Sequence, residues 1–183
     1  MNFQSKTVIF VPGCMLCPFF QAVQNEKTLS WPSRIIPFLV EHRIGMIPLP
    51  CPEISYGGLA AGATRKSHNI RYYGKRPDFI EHCRLTAQPV VEQITELSQT
   101  SFRIIAVSGV EDSPTCAASR MFVHGKGNLK QQGIMIAAIS AGLEQQGIVL
   151  TSSGANSNKG RLCIPLIGID RRKPEKFLSG LAL

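Results

Sequence analysis

Cys14, Cys51 and Cys116 each stand just past an apolar run of strand character: residues 7–11, 46–49 and 104–107. Groups able to move protons lie beside them. Cys51-Pro52-Glu53 offers a thiol and a carboxylate from one turn that proline stiffens. Ser113-Pro114-Thr115-Cys116 repeats the theme with hydroxyls. In a parallel sheet, loops at the carboxyl ends of neighbouring strands converge on one crevice. Three sulfurs meeting there suit a metal or iron–sulfur centre, since thiolates are soft ligands. Ligation by these three alone leaves a metal position open to polarise a substrate atom, here sulfur. Glu53 would then serve as general base or acid.

Other residues compete for these roles. Cys14-Met15-Leu16-Cys17 is a CxxC, a spacing that often supplies two ligands to one cluster. With Cys17 as a fourth ligand the centre would be closed and would suit electron transfer or structure. Glu111 and Asp112 are alternative acid–base groups, and Thr115 is the substitute for Ser113. Cys83 and Cys163 fall on apolar faces and read as core packing. His42, His68, His82 and His124 form no metal-spaced pair, and His124-Gly125-Lys126-Gly127 is not a phosphate loop. Trp31, Tyr72 and Tyr73 are candidates for stacking on a heterocycle.

The elements that must position these groups alternate. Strands are expected at 7–11, 46–49, 102–108, 148–150 and 162–169. Helical spacing marks 33–43, a long helix opened by Pro77 and Asp78 with Pro89 inside it, 133–146, and a terminal helix at 174–181. Such alternation predicts a three-layer α/β fold: a mostly parallel sheet with helices on both faces, Rossmann-like or flavodoxin-like. With 183 residues the chain is expected to form one domain, 1–183.

Hydrophobic residues make up 44% and charged residues 17%, a balance suited to a soluble globular protein. No apolar run approaches the roughly 20 residues needed to cross a bilayer, so no membrane partner and a cytoplasmic location are expected. Six cysteines are too few for a disulfide scaffold and in a reducing compartment read as buried, metal-bound or catalytic. The net charge of +8 concentrates in residues 59–76, with Arg65, Lys66, Arg71, Lys75 and Arg76. A solvated loop is the plainer reading of that stretch, and nucleic acid is the alternative partner.

The Cys14 segment, Cys51-Pro52-Glu53 followed by Gly57-Gly58, and Ser113-Pro114-Thr115-Cys116 together resemble the signature of thiouracil desulfidases and related putative desulfidases. The last motif of that family is usually Ser-Pro-Ser-Cys. The likeness spans roughly residues 8–150. It implies a 4Fe–4S cluster held by residues matching Cys14, Cys51 and Cys116, with one iron not ligated by cysteine. It further implies that groups matching Glu53 and Ser113 help water replace sulfur by oxygen in a small thiolated heterocycle such as 2-thiouracil. Sulfide is released and no electron donor is needed. The competing function is a non-catalytic iron–sulfur or zinc module, structural or electron-carrying.

Overall fold

The computed structural model describes residues 6–21, 30–58, 73–123, 127–152 and 160–181. Strand β1 (Thr7–Pro12) runs into the short helix α1 (Gly13–Leu16), followed by 3-10 turns at Pro18–Phe20 and Trp31–Arg34. Next come α2 (Ile36–Glu41), β2 (Gly45–Leu49), α3 (Pro52–Gly57) and the 22-residue helix α4 (Pro77–Ser98). Strand β3 (Arg103–Val110) precedes a small hairpin of β4 (Met121–Val123) and β5 (Gly127–Leu129). Helix α5 (Ile134–Gln145), β6 (Ile148–Thr151), β7 (Leu162–Ile169) and α6 (Glu175–Ser179) complete the order.

Five strands form one parallel sheet in the order β2-β1-β3-β7-β6. Successive side chains of a strand point to opposite faces, and β1 divides its residues accordingly. Phe10 joins a core with Phe79 and Cys83 of α4 and Met135, Ile139 and Leu143 of α5. Ile9 and Val11 join a second core with Trp31, Leu39 of α2 and Phe177 of α6. Helices therefore cover both faces, and the fold is three-layer α/β. The first three strands follow the 2-1-3 order of flavodoxin-like sheets, whereas the last two exchange places. Inside the sheet, the buried Ser108 hydroxyl donates to the Phe10 carbonyl at 2.8 Å, tying β3 to β1.

The alternating elements emerge where the sequence predicts them, and 162–169 coincides with β7. The helix expected at 33–43 is split. Pro37 has no amide hydrogen, so Trp31–Arg34 forms a 3-10 turn and α2 starts afresh with proline in its first turn. Much of the basic stretch, with Arg65, Lys66, His68, Arg71 and Tyr72, lies outside the described residues, as do His124, Lys126 and 153–159. No helix among the described residues is long and apolar enough to cross a membrane.

Candidate metal centre

From β1 the chain turns to β2 on one side, and β3 lies on the other. That reversal is a switch point, and the crevice at its carboxyl edge is where open α/β sheets bind ligands. Cys14 is the second residue of α1, directly past β1. Cys51 is the N-cap of α3, past β2, with Pro52 at the first helical position and Glu53 in the first turn. Cys116 lies in the turn after β3.

Two close approaches bring these loops together. A Cβ at Gly13 would come within 2.9 Å of the Leu49 carbonyl oxygen, so only glycine lets the Cys14 loop lie against the end of β2. A Cβ at Gly109 would meet the Cys116 carbonyl oxygen at 2.1 Å, a clash no side-chain shift relieves. That carbonyl accepts the Val110 amide at 2.9 Å, which folds the Cys116 loop back onto its own strand. From the far side, the amides of Ile134 and Met135 at the start of α5 donate to the Pro114 and Thr115 carbonyls at 3.1 and 3.0 Å.

Within that loop the Ser113 hydroxyl oxygen accepts the amides of Thr115 and Cys116 at 3.3 and 3.1 Å. It lies 3.2 Å from the Thr115 hydroxyl. Thr115, only 1% exposed, donates to Glu53 Oε1 at 2.7 Å, across 62 residues of sequence. The same hydroxyl stands 3.5 Å from Cys116 Sγ. Hydrogen bonds thus run from backbone amides through Ser113 and Thr115 to the Glu53 carboxylate. Thr115 is the residue that sequence reasoning placed second and that touches the carboxylate. Ser113 is joined to Glu53 through it.

Electrostatics give a second measure of proximity. Burial pushes the Cys14 thiol up to about 12, and negative charge at Cys51 and Glu53 adds to the effect while Arg171 opposes it. Cys116 is raised well above the ordinary thiol value, first by burial and then by Cys51, with Cys14 and Glu53 contributing. Cys83, fully buried on α4, is pushed up to about 12 by burial, Glu53 and Cys51 in that order. Cys51 and Glu53 therefore bear on all three other thiols. The core position expected for Cys83 holds, and the charges of Glu53 and Cys51 act on its thiol as well. Cys17, the C-cap of α1 with its amide on the Gly13 carbonyl at 2.9 Å, does not figure among the groups acting on Cys14, Cys83 or Cys116.

Other sequence candidates are engaged elsewhere. Glu111 accepts the Ser119 hydroxyl and the Arg120 amide at 2.8 and 2.7 Å, and Asp112 pairs with Arg120 at 2.9 Å. Trp31 and Tyr73 are 1% and 2% exposed, so the stacking role expected of them gives way to core packing. Cys163 is only partly buried on β7, because its strand lies beside the sheet-edge strand β6. His42 stacks on Phe38, and His82 Nε2 lies 2.7 Å from the Ser55 hydroxyl.

Among the described residues no group of three or more His, Cys, Asp and Glu closes around a single ion. A tetrahedral ion at about 2.3 Å from each sulfur would need sulfurs roughly 3.8 Å apart. A four-iron cluster is larger and takes sulfurs held farther apart. Its requirements are soft donors in a desolvated crevice, with hydrogen bonds reaching the sulfurs. The half-buried Cys14, Cys51 and Cys116, with the Thr115 hydroxyl beside Cys116 Sγ, fit that donor set.

No family model matches the chain, and no solved structure does. The chain is similar to an uncharacterized protein of Methanocaldococcus jannaschii, with 27% identity over 85 residues. The match takes in 46% of this chain and spans about half (50%) of that protein's length.

Proposed function

We propose that the chain is a cluster-dependent, non-redox desulfidase acting on a small thiolated heterocycle, of which 2-thiouracil is the simplest. One observation carries this reading. The Glu53 carboxylate, fixed by Thr115 at 2.7 Å, shares a switch-point crevice with the thiols of Cys14, Cys51 and Cys116. Those three residues would hold a 4Fe–4S cluster. Bound there, it would supply an iron free of cysteine as Lewis acid toward the substrate's sulfur.

The chain's own groups do the rest. Glu53 takes a proton from a water that attacks the thiocarbonyl carbon. Thr115 donates to one carboxylate oxygen and so orients the carboxylate toward the water. Ser113 holds Thr115 in that orientation through its bonds to the loop amides. The carbon–sulfur bond breaks as the carbon–oxygen double bond forms, and the protons of the water leave with sulfide. Carbon and sulfur keep their oxidation levels, so neither oxidant nor reductant enters. A reducing, cytoplasmic setting would keep the thiols available as ligands.

The test is iron and acid-labile sulfide after anaerobic reconstitution, followed by sulfide release from 2-thiouracil. About four of each per chain with catalytic release is expected. Iron without release would leave a non-catalytic centre, and no iron would remove the proposal. Thr115 adds a finer test. Thr115→Val preserves shape but removes the hydroxyl that donates to the carboxylate, a bond to a charged group worth about 1.5–3 kcal/mol. A fall in kcat of roughly ten- to a hundredfold at unchanged iron content is expected. Thr115→Ser should recover most of it. A Val variant as active as the parent would deny Thr115 this positioning role.

A second reading is favoured by one observation, the burial of Cys83 beside Cys51 and Glu53. With Cys83 as fourth ligand the centre would be closed and would carry electrons rather than bind substrate.

A further inference from the structure

Helix α3 carries Cys51 as its N-cap and Glu53 in its first turn, yet it has only six residues. Isolated helices shorter than about 12 residues are marginal in water. What fixes α3 is therefore its attachment to neighbours. Thr115 reaches it through Glu53. The N-terminal part of α4 supplies the other attachments, and α4 is itself seated in the core through Phe79, Cys83 and Ala87.

Two adjacent side chains of α3 meet α4. Tyr56 packs edge-on against the buried Phe79, with ring centroids 5.1 Å apart and planes at 88°. Its hydroxyl donates to Asp78. Arg76 donates to the same carboxylate at 2.9 Å and lies over the Tyr56 ring, 5.4 Å from its centroid. The Arg76 and Tyr56 bonds hold the Asp78 carboxyl well below the usual carboxylate range, so this acceptor stays charged at neutral pH.

Ser55 makes the second attachment. Its hydroxyl stands 2.7 Å from His82 Nε2, and 3.3 and 3.4 Å from the carbonyl oxygens of Cys51 and Pro52. The Thr86 hydroxyl is 3.5 Å from the same ring nitrogen but donates to the His82 carbonyl at 2.7 Å. Ser55 is thus the partner of Nε2, and it joins His82 to the backbone of the residue that offers the Cys51 thiol. One partly exposed bond of this kind contributes little by itself. Here two of them, with an aromatic contact, tie one short helix to one long one.

We propose that Tyr56 and His82 are positioning residues: through Asp78 and Ser55 they latch α3 to α4 and so set where Cys51 and Glu53 stand. Neither is asked to touch the reacting atoms. A shift of α3 carries Cys51 and Glu53 together, and a misplacement of about 1 Å at a reacting group can cost on the order of a hundredfold in rate. The effect on turnover rests on the desulfidase reading; the latch itself does not.

The test reads backbone hydrogen exchange and turnover in the full-length chain. Exchange is measured before reconstitution, so that no cluster holds Cys51 in place of the latch. Tyr56→Phe keeps the ring on Phe79 and loses only the hydroxyl, and His82→Leu loses the bond to Ser55. Each should speed exchange at residues 53–58 by about two- to tenfold, with residues 90–98 of α4 unchanged. After reconstitution, Tyr56→Phe/His82→Leu should show kcat reduced roughly ten- to a hundredfold, with KM within about twofold of the parent and iron content retained. His82→Gln, whose amide can still donate to Ser55, should keep both readings near the parent, which separates a lost contact from lost packing. Parent-like exchange in the double variant would overturn the latch, and faster exchange with unchanged kcat would overturn the positioning role. A parent that releases no sulfide removes the desulfidase reading, and exchange alone then decides the latch.

Discussion

Glu53→Gln is expected to retain the 4Fe–4S spectrum while sulfide release falls by about 10²–10⁴-fold, the usual contribution of a positioned general base. Glutamine is the informative substitute. Its amide oxygen can still accept the Thr115 hydroxyl that Glu53 Oε1 accepts at 2.7 Å, so the loop contact survives. What disappears is the ability to take a proton. Alanine would instead leave a buried hydroxyl without an acceptor and confuse lost chemistry with lost packing. Substrate affinity should change little, because the proposed reaction asks Glu53 to act on water and not on the heterocycle. The measurement is kcat and KM for one thiolated substrate alongside iron content. Retention of more than about a tenth of the parent kcat would take the base role from Glu53.

The sheet was legible because β-branched and aliphatic runs alternate with helical spacing, and those two periods are difficult to confuse over long segments. Short elements were not. Helix α3 has six residues and ends in Gly57, so its span reads as a turn, and Pro52 reads as stiffening that turn although it stands at the first helical position. The hairpin β4–β5 has three residues per strand, too few for alternation to register. The cysteines could be placed at strand ends, and strand ends of a parallel sheet converge whatever the loops do. Choosing between Ser113 and Thr115 required the path of the loop. Both lie beside Pro114, and only the folding of Cys116 back onto Gly109 and Val110 turns Thr115 toward Glu53.

Cys116→Ala is expected to abolish cluster assembly and activity together while leaving the chain folded. The argument is one of location. Cys116 contributes its sulfur to a crevice at the sheet edge, whereas the two hydrophobic cores are built from strand and helix residues on either face. A chain of 183 residues with both faces of its sheet covered does not need a metal to complete its core, unlike a small zinc-dependent domain. Removing one half-buried thiol leaves a cavity of at most a single sulfur, and the expected cost is on the order of 1–2 kcal/mol, a few degrees in melting temperature. Global unfolding of Cys116→Ala, or of the parent after iron chelation, would instead make the centre structural. Cys83→Ser then separates an open centre from a closed one. An open centre predicts iron content and sulfide release close to the parent, since Cys83 would lie beside the cluster without holding it. A closed centre predicts that Cys83→Ser loses iron as Cys116→Ala does, and with it the position at which a substrate sulfur would bind.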